Sequence, residues 1–251
     1  MFAAYSNPQG RVLALIYLLP HSSGVIGILP RDILAATMER MRKFVLRAKV
    51  QIEDAGESLA AAGGFGALPP GESLYREHDG VGVAAVSRDA GRHWVVAAPE
   101  KLALQGGSAT AMRFEDAWRL ADIRAGLPQI YADTSEAFVA QMLNLDLLDG
   151  ISFTKGCYTG QEIIARTQHL GRIKRRLFRL LLPEGSWRIG QQLNLSDGRQ
   201  GRLTEVIESD GRIEALAVLS VEPSSTADAG AETPVRATEL PLPYSLSASS
   251  S

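Results

Sequence analysis

The only cysteine of the chain, Cys157, lies where its thiol could do chemistry. It stands in the stretch "KGCYTGQE" (155–162), just before a helix that we predict to begin at Thr159, because Thr159 and Glu162 have the spacing of a capping box. The N-terminus of a helix favours an anion and Lys155 adds a positive charge, so both stabilise a thiolate. The alternative is a buried free cysteine that packs in a strand-to-helix turn.

The residues around the thiol also suit a ligand site. Gly156 and Gly160 allow the backbone to approach a ligand closely or to adopt a positive φ. Glu162 and Arg166 are four residues apart, in the order that favours an ion pair on one helix face. The predicted helix continues through "GQEIIARTQHL" and ends at Gly171.

A longer stretch around the cysteine, "KGCYTGQEIIARTQHLGRIKRRL", resembles the signature of the YgfZ family, folate-binding relatives of the T-protein of the glycine cleavage system. The resemblance extends over most of the chain. It includes "NPQGRVLA", "AGLPQI", "NLDLLDGISFTKG", "LSDGRQGRLTEV" and "ELPLPY".

The resemblance implies an α+β fold in two parts. A T-protein-like folate-binding region of mixed sheets and helices is expected at 1–171, a small C-terminal β-barrel at 172–244, and a disordered tail at 245–251. The family carries a further segment ahead of "NPQGRVLA", with another tryptophan associated with folate. We therefore expect the N-terminal segment of this chain to be shortened.

The resemblance also implies a cofactor and a set of site residues. Folate, as tetrahydrofolate or a derivative, is the expected cofactor, and Cys157 is the expected catalytic residue. The residues expected to bind the cofactor are Trp118, Asp122, Arg124, Lys155, Gly156, Tyr158, Gly160, Gln161, Glu162 and Arg166.

The function implied is that of an accessory protein. It would act in maintenance or assembly of iron–sulfur cluster proteins and so support tRNA modification, with those proteins or their assembly machinery as partners. A folate-dependent one-carbon transferase of the aminomethyl type is the alternative, so whether the chain is an enzyme stays open. T-proteins carry an acidic pair where this sequence has Ala14 and Leu15, which argues against aminomethyl transfer.

Composition limits the other function classes. The net charge of −2 gives no overall reason to expect RNA or an anionic membrane as the main partner. The basic run "GRIKRRLFR" (171–179) could bind polyanions, but we expect ion pairs or a solvated edge there, and direct RNA binding is not expected. No metal site is expected, because the four histidines lack ligand spacing. A single cysteine and no apolar run of membrane-spanning length favour a cytoplasmic protein.

Hydrophobic periodicity predicts the elements that must position these residues. Strands are expected at 11–19, 24–30, 49–54, 80–88 and 93–99, helices at 31–48, 114–125 and 134–148, and a loop at 55–72. Five short strands are expected from "RRLFRLLLP" (175–183) to "TPVRATELPLPY" (233–244). "GVGVAA" fits a dinucleotide-binding pattern formally, but its place within a strand excludes that site.

Overall fold

A computed structural model describes most of the chain. It describes residues 2–22, 24–66, 75–86, 91–103, 114–152, 156, 158–170, 173–223 and 234–246. These residues form a mixed α+β fold with antiparallel sheets and few helices, which confirms the α+β part of the predicted fold class. Within them, no helix combines the length and the apolar character needed to cross a membrane.

The chain divides into two compact units, each described here by itself. The first unit runs from Ile16 to Ala111, and the second combines Phe2–Leu15 with Met112–Ser251. The strands of the first part of the chain are β1 (Phe2–Ser6), β2 (Val12–His21), β3 (Gly24–Ile28), β4 (Ala60–Phe65), β5 (Tyr75–His78), β6 (Val81–Ala85) and β7 (Arg92–Ala97). The helices there are α1 (Arg31–Arg42) and α2 (Pro99–Ala103).

The first unit is built on antiparallel pairing. Residues Tyr17–His21 of β2 pair with β3, and a four-stranded sheet has the order β4-β7-β6-β5. Its buried cluster contains Leu19, Ala84 and Val96, with Trp94 packed against it. The ring centroids of Tyr17 and Trp94 lie 5.4 Å apart, a separation typical of tilted aromatic pairs.

The second unit holds the segments of the predicted site. Its later elements are α3 (Phe114–Ala125), two short 3₁₀ helices (Ala132–Thr134 and Ala140–Leu143), α4 (Gln161–Leu170), β8 (Arg175–Leu182), β9 (Gln192–Asn194), β10 (Gln200–Ser209), β11 (Arg212–Ser220) and β12 (Thr238–Leu240). The five strands form one sheet of order β12-β8-β11-β10-β9. Its core includes Leu180, Leu203, Ala215 and Leu219, all fully buried.

The C-terminal strands are found where the sequence predicts them, but those described do not form a closed barrel. The edge strands β9 and β12 have three residues each. They therefore offer too few backbone N–H and C=O groups for a continuous row of hydrogen bonds that would close the sheet into a barrel. The segments beside the two edges meet at one parallel bridge between Leu195 and Val235, where Val235 N–H donates to Asn194 O at 2.7 Å. The boundary predicted between 171 and 172 falls outside the described residues and stays a prediction.

Three local predictions are wrong. Residues 49–54 form no strand, because Val50 and its neighbours are exposed and no partner strand pairs with them in the described structure. The predicted loop at 55–72 contains β4, a Gly/Ala-rich strand that pairs with β7 along its whole length. Helix α1 ends at Arg42, six residues earlier than the periodicity predicts.

The helix predicted at 134–148 is replaced by the two 3₁₀ helices and turns. Glu136 and Asn144 adopt positive φ values of 61° and 58°, which a continuous helix excludes. Contacts with the start of β2 explain the difference: Glu136 N–H donates to Val12 O at 2.8 Å, and Val12 N–H donates to Phe138 O at 2.8 Å. Tertiary hydrogen bonds therefore override the local helical pattern.

Candidate functional site

The turn that leads into α4 contains several of the predicted site residues. Tyr158, Gly160 and Gln161 are described, whereas Cys157 and Lys155 lie outside the described residues. The role assigned to the thiol therefore stays a prediction. Helix α4 begins at Gln161, two residues after the predicted start at Thr159.

The first turn of α4 is fixed by Gln161. Its backbone N–H donates to Tyr158 O at 3.1 Å, and its side-chain Oε1 accepts from Tyr158 N–H at 3.3 Å. This arrangement closes the turn that the capping-box pattern assigned to Thr159. Burial raises the pKa of the Tyr158 phenol, so its hydroxyl is protonated at neutral pH.

Gly160 is in close contact with a distant part of the chain. Its φ is +82°, and a Cβ there would lie 2.6 Å from Asn7 O and 2.9 Å from Gly10 Cα. Gly10 has a φ of +70°, and its own Cβ would meet Ile163 Cβ at 3.1 Å. Both positions therefore require glycine, and "NPQG" packs directly on the turn before α4.

The "NPQG" loop is held by one side chain. Asn7 Oδ1 accepts hydrogen bonds from the backbone N–H groups of Gln9 and Arg11, both at 3.0 Å. Asn7 N–H donates to Arg11 O at 2.9 Å, and Gly10 N–H donates to Asn7 O at 2.9 Å. Asn7 Nδ2 also donates to Glu136 Oε1 at 3.3 Å. The loop that faces Gly160 is thus preorganised by its own hydrogen bonds.

Gln141, which sequence reasoning missed, connects α4 to the sheet. Its side chain is fully buried, and its Nε2 donates to Ile164 O at 2.6 Å. Its backbone carbonyl accepts from Arg176 Nη1 at 3.0 Å, while its Oε1 is buried with no hydrogen-bond partner among the described residues. Because the surrounding segment was predicted as a helix, nothing in the sequence pointed to a polar residue buried under α4.

The predicted folate residues of α3 contact the C-terminal sheet. Trp118 is buried, with 8% of its surface exposed, and Asp122 is half-buried one helical turn further on. Arg124 Nη2 donates to Glu214 Oε1 at 2.8 Å, although more than half of the arginine side chain is exposed. These side chains therefore sit on a helix that is fastened to β11.

A second contact fastens α3 to β10. Arg119 forms an ion pair with Glu205, and Tyr131 donates its hydroxyl hydrogen to Glu205 Oε2 at 2.6 Å. Burial, together with the Glu205 carboxylate, raises the pKa of Tyr131. The phenol therefore remains a hydrogen-bond donor at any physiological pH. Glu205 lies at an irregularity of the β10–β11 pairing, which turns its side chain toward α3.

Glu162 and Arg166 do not form the ion pair that their spacing favours. Both residues are exposed on α4, and no ion pair joins them in the described structure. An exposed pair of this kind contributes only about 0.3–0.5 kcal/mol, so solvent competes effectively with it. The two charges remain available to a ligand.

The basic run before and within β8 forms ion pairs, as expected, in the part that is described. Arg176 makes a bidentate pair with Asp146, at 2.6 and 2.9 Å. Arg179 Nη2 donates to Glu214 Oε2 at 2.6 Å. Among the described residues, no cluster of His, Cys, Asp or Glu could hold a metal ion.

Comparison with known proteins assigns the family. The chain is 29% identical over 233 residues to the tRNA-modifying protein YgfZ of Pectobacterium carotovorum subsp. carotovorum (strain PC1), covering 85% of this chain and 69% of that protein. It is 29% identical over 274 residues to the protein of the same name from Yersinia pestis (strain Pestoides F), covering 98% of this chain and 81% of the relative.

A third relative has the same name. The tRNA-modifying protein YgfZ of Colwellia psychrerythraea (strain 34H / ATCC BAA-681) is 32% identical over 196 residues, covering 71% of this chain and 59% of the relative. No family model matches the chain.

The described structure is of the α+β class. The segment that resembles the family signature lies at the start of helix α4, where Gly160 forms the turn. The chain belongs to the YgfZ family.

Proposed function

We propose that this chain binds a reduced folate and acts as an accessory factor in the maintenance or assembly of iron–sulfur proteins, through which it supports tRNA modification. The proposal includes a T-protein-like folate-binding region. Cys157 would be a reactive thiolate near the folate, with Lys155 stabilising its negative charge. The relatives are named tRNA-modifying proteins, which supports the link to tRNA modification.

One observation carries the proposal: the backbone contact between Gly160 and the Asn7–Gly10 loop. Two of the segments that resemble the family signature, far apart in sequence, meet where a Cβ on Gly160 would lie 2.6 Å from Asn7 O. Such a contact holds the start of α4 in a fixed position. A fixed helix start is what a thiolate a few residues upstream requires, because the helix dipole acts only over its first turn.

The described site residues include side chains of the chemical types that a folate could bind: an aromatic ring, a carboxylate and guanidinium groups. A bound reduced folate would supply an easily oxidised pterin ring whose nitrogens can carry one-carbon units. Trp118 would contact the pterin, and the half-buried Asp122 carboxylate would accept hydrogen bonds from its N–H groups. The exposed Arg166 suits the glutamate carboxylates. Arg124 would have to act with the part of its guanidinium that Glu214 leaves exposed.

The transferase alternative lacks a supporting observation. The two positions at which T-proteins carry an acidic pair are Ala14 and Leu15, and both are fully buried in the core. Neither can activate a folate nitrogen by accepting a proton. The segment 155–162, which contains Cys157, therefore remains the better candidate for catalytic chemistry.

Folate binding can be measured through the three tryptophans of the chain. Titration with tetrahydrofolate should quench part of the tryptophan emission, and Trp118→Phe should abolish most of this quenching. The matched control is Trp187→Phe, because Trp187 packs on the C-terminal core and donates to Pro183 O at 3.0 Å. Equal quenching in both variants would contradict the assignment of Trp118.

The contact that carries the proposal has its own test. Gly160→Ala should weaken tetrahydrofolate binding, because the added methyl group must push Asn7 away from the turn. Gly211→Ala is the matched control, since Gly211 has a φ of +70° but no atom within 4 Å of the place that a Cβ would take. The control therefore carries the backbone strain without the clash. Unchanged binding in Gly160→Ala would remove the structural basis of the proposal.

A further inference from the structure

Residues 40–50 of the first unit form a second concentration of positive charge. The segment reads "RMRKFVLRAKV" and contains five lysines and arginines without one acidic residue. The whole chain, by contrast, has a net charge of −2. We call these residues the basic segment. Its local charge is opposite to that of the protein as a whole, so a polyanion would be attracted to it in particular.

The basic segment also exposes large apolar side chains. Phe44, Leu46 and Val50 are 65%, 85% and 57% exposed, which is unusual for such residues within one short stretch. Isolated apolar residues on a surface need no explanation, but these three lie within seven positions of the sequence. They occur in the same stretch as the positive charges.

The backbone of the basic segment leaves α1 and turns back on itself. Phe44 N–H donates to Met41 O at 3.0 Å, and Val45 N–H donates to Arg42 O at 3.1 Å. The Arg42 guanidinium closes the turn, since its Nε donates to Ile52 O at 2.9 Å. The segment is thereby held as a loop that presents its side chains outward.

Two cations of the basic segment, Arg47 and Lys49, are free to act on a partner. Lys43 pairs with Glu39 at 2.8 Å, but both side chains are about two-thirds exposed or more, so the pair is weak. Arg47 and Lys49 are exposed and form no ion pair in the part of the chain that the structure describes. In sequence these two cations lie between the exposed Leu46 and Val50.

The sequence alone gives no expectation of direct RNA binding, but the exposure of these cations and apolar side chains changes that expectation. We propose that the basic segment binds single-stranded RNA. Arg47 and Lys49 would contact phosphates, and the ring of Phe44 would stack on a base, the combination by which proteins bind single strands without sequence preference. Leu46 and Val50 would cover the apolar faces of the neighbouring nucleotides. The inference goes beyond the proposed function and does not depend on folate binding.

The observations favour RNA over a membrane surface. A segment that lies in a membrane interface is ordinarily an amphipathic helix, which satisfies its own backbone hydrogen bonds. The basic segment is not helical beyond Arg42, so burial of Leu46 in lipid would also bury backbone groups without partners. In RNA, water and phosphates remain available to these groups.

Binding is measured with a labelled poly-uridine RNA of about 12 nucleotides, a length within the range of known single-strand sites. Phe44→Ala should weaken the Kd about tenfold through lost stacking. Its matched control is Phe65→Ala, which removes a phenylalanine that is 50% exposed in the same unit. The control should bind as wild type.

The charge contribution is tested separately. Arg47→Gln combined with Lys49→Gln should lower the slope of log Kd against log salt by about 1.4, since each phosphate contact to a single strand contributes about 0.7. Arg188→Gln combined with Arg212→Gln removes the same charge from other exposed positions and should leave the slope unchanged. Circular dichroism and Tm of each variant verify that it is folded.

Three outcomes would overturn the proposal. The first is an equal loss of RNA binding in the two double variants, Arg47→Gln with Lys49→Gln and Arg188→Gln with Arg212→Gln. Equal losses would indicate a nonspecific electrostatic effect. The second is an unchanged Kd in Phe44→Ala. The third is binding to phosphatidylserine vesicles or to poly-glutamate with no binding to the RNA, which would assign the segment to a membrane or to an acidic protein.

Discussion

The two basic stretches of this chain differ in what the fold does with their charge. In β8 the side chain of Arg176 is 5% exposed and forms a bidentate pair with Asp146, while Arg179 pairs with Glu214. In the basic segment, residues 40–50, Arg47 and Lys49 are exposed, and no acidic residue interrupts the sequence. One stretch stabilises the protein, and the other is available for binding.

The difference shows that a run of basic residues has no function by itself. The run at 171–179 is the more conspicuous in sequence, yet the structure places carboxylates opposite its described buried arginines. Those carboxylates come from Asp146 and Glu214, 30 and 35 residues away from their partners in sequence. Spacing within the run therefore could not reveal which charges are neutralised.

The largest effect should follow from breaking the buried pair of β8. Asp146→Ala leaves the Arg176 guanidinium buried without its carboxylate, and we expect the free energy of unfolding to fall by about 3–5 kcal/mol. Urea denaturation followed by circular dichroism measures the change. The double variant Asp146→Leu with Arg176→Met removes both charges and should recover much of the loss. A loss below about 1 kcal/mol in Asp146→Ala would place this pair among weak surface pairs.

A smaller, pH-dependent effect is expected at Glu214. Burial alone would raise the pKa of this carboxyl, but Arg124 and Arg179 more than offset the burial and hold the pKa below its usual value of 4.5. A group with a depressed folded-state pKa stabilises the protein above its unfolded pKa, and this contribution disappears as the pH falls through the folded value. Glu214→Gln should therefore cost about 1–3 kcal/mol at neutral pH.

The measurement for Glu214 is the unfolding free energy of both proteins over a pH series. The wild type and Glu214→Gln should differ most near pH 7 and converge as the pH falls from the usual carboxyl value of 4.5 through the lowered folded-state pKa of Glu214. Glu239→Gln is a suitable control, because the carboxylate of Glu239 is nearly half exposed where it meets Arg199. A difference between wild type and Glu214→Gln that is independent of pH would mean that the ionised carboxylate contributes nothing.

The smallest effect should come from the basic segment itself. Arg47→Gln combined with Lys49→Gln should change the free energy of unfolding by less than about 0.5 kcal/mol, because both side chains are exposed and neither forms an ion pair within the described residues. Thermal unfolding of the wild type and the double variant measures this change in free energy. A destabilisation comparable to that of Asp146→Ala would show that these cations also hold the fold, and the contrast between the two stretches would fail.

Sequence reasoning predicted the elements whose patterns are strong and local. The strands around Leu15, the helix around Trp118 and the five strands after residue 174 are found close to their predicted positions. Their apolar residues face cores, so periodicity reports burial directly. The α+β class, by contrast, was implied by the family resemblance.

The failures have a common physical cause. Ala60–Phe65 has few residues with high β propensity and becomes a strand only because β7 pairs with it. Residues 134–148 have a helical pattern, but their hydrogen bonds to Val12 are formed with a strand more than a hundred residues away. Both outcomes depend on partners that a local pattern cannot identify.

For the candidate site, the sequence predicted the glycine turn but not its contact. The positive φ of Gly160 is consistent with the freedom expected there, whereas the approach of Asn7 and the buried Gln141 are known only from the structure. The reactivity of Cys157 remains a prediction, because that residue lies outside the described part of the chain.

The central claim is that this chain supports tRNA modification through the segment 155–162, which contains Cys157. It is tested most directly in cells that lack their own member of the family. Modified nucleosides of total tRNA are quantified by mass spectrometry after expression of wild type or Cys157→Ser. We predict that wild type restores the modified nucleosides and that Cys157→Ser does not, although it folds and binds tetrahydrofolate as wild type does. Full restoration by Cys157→Ser, or none by wild type, would contradict the account.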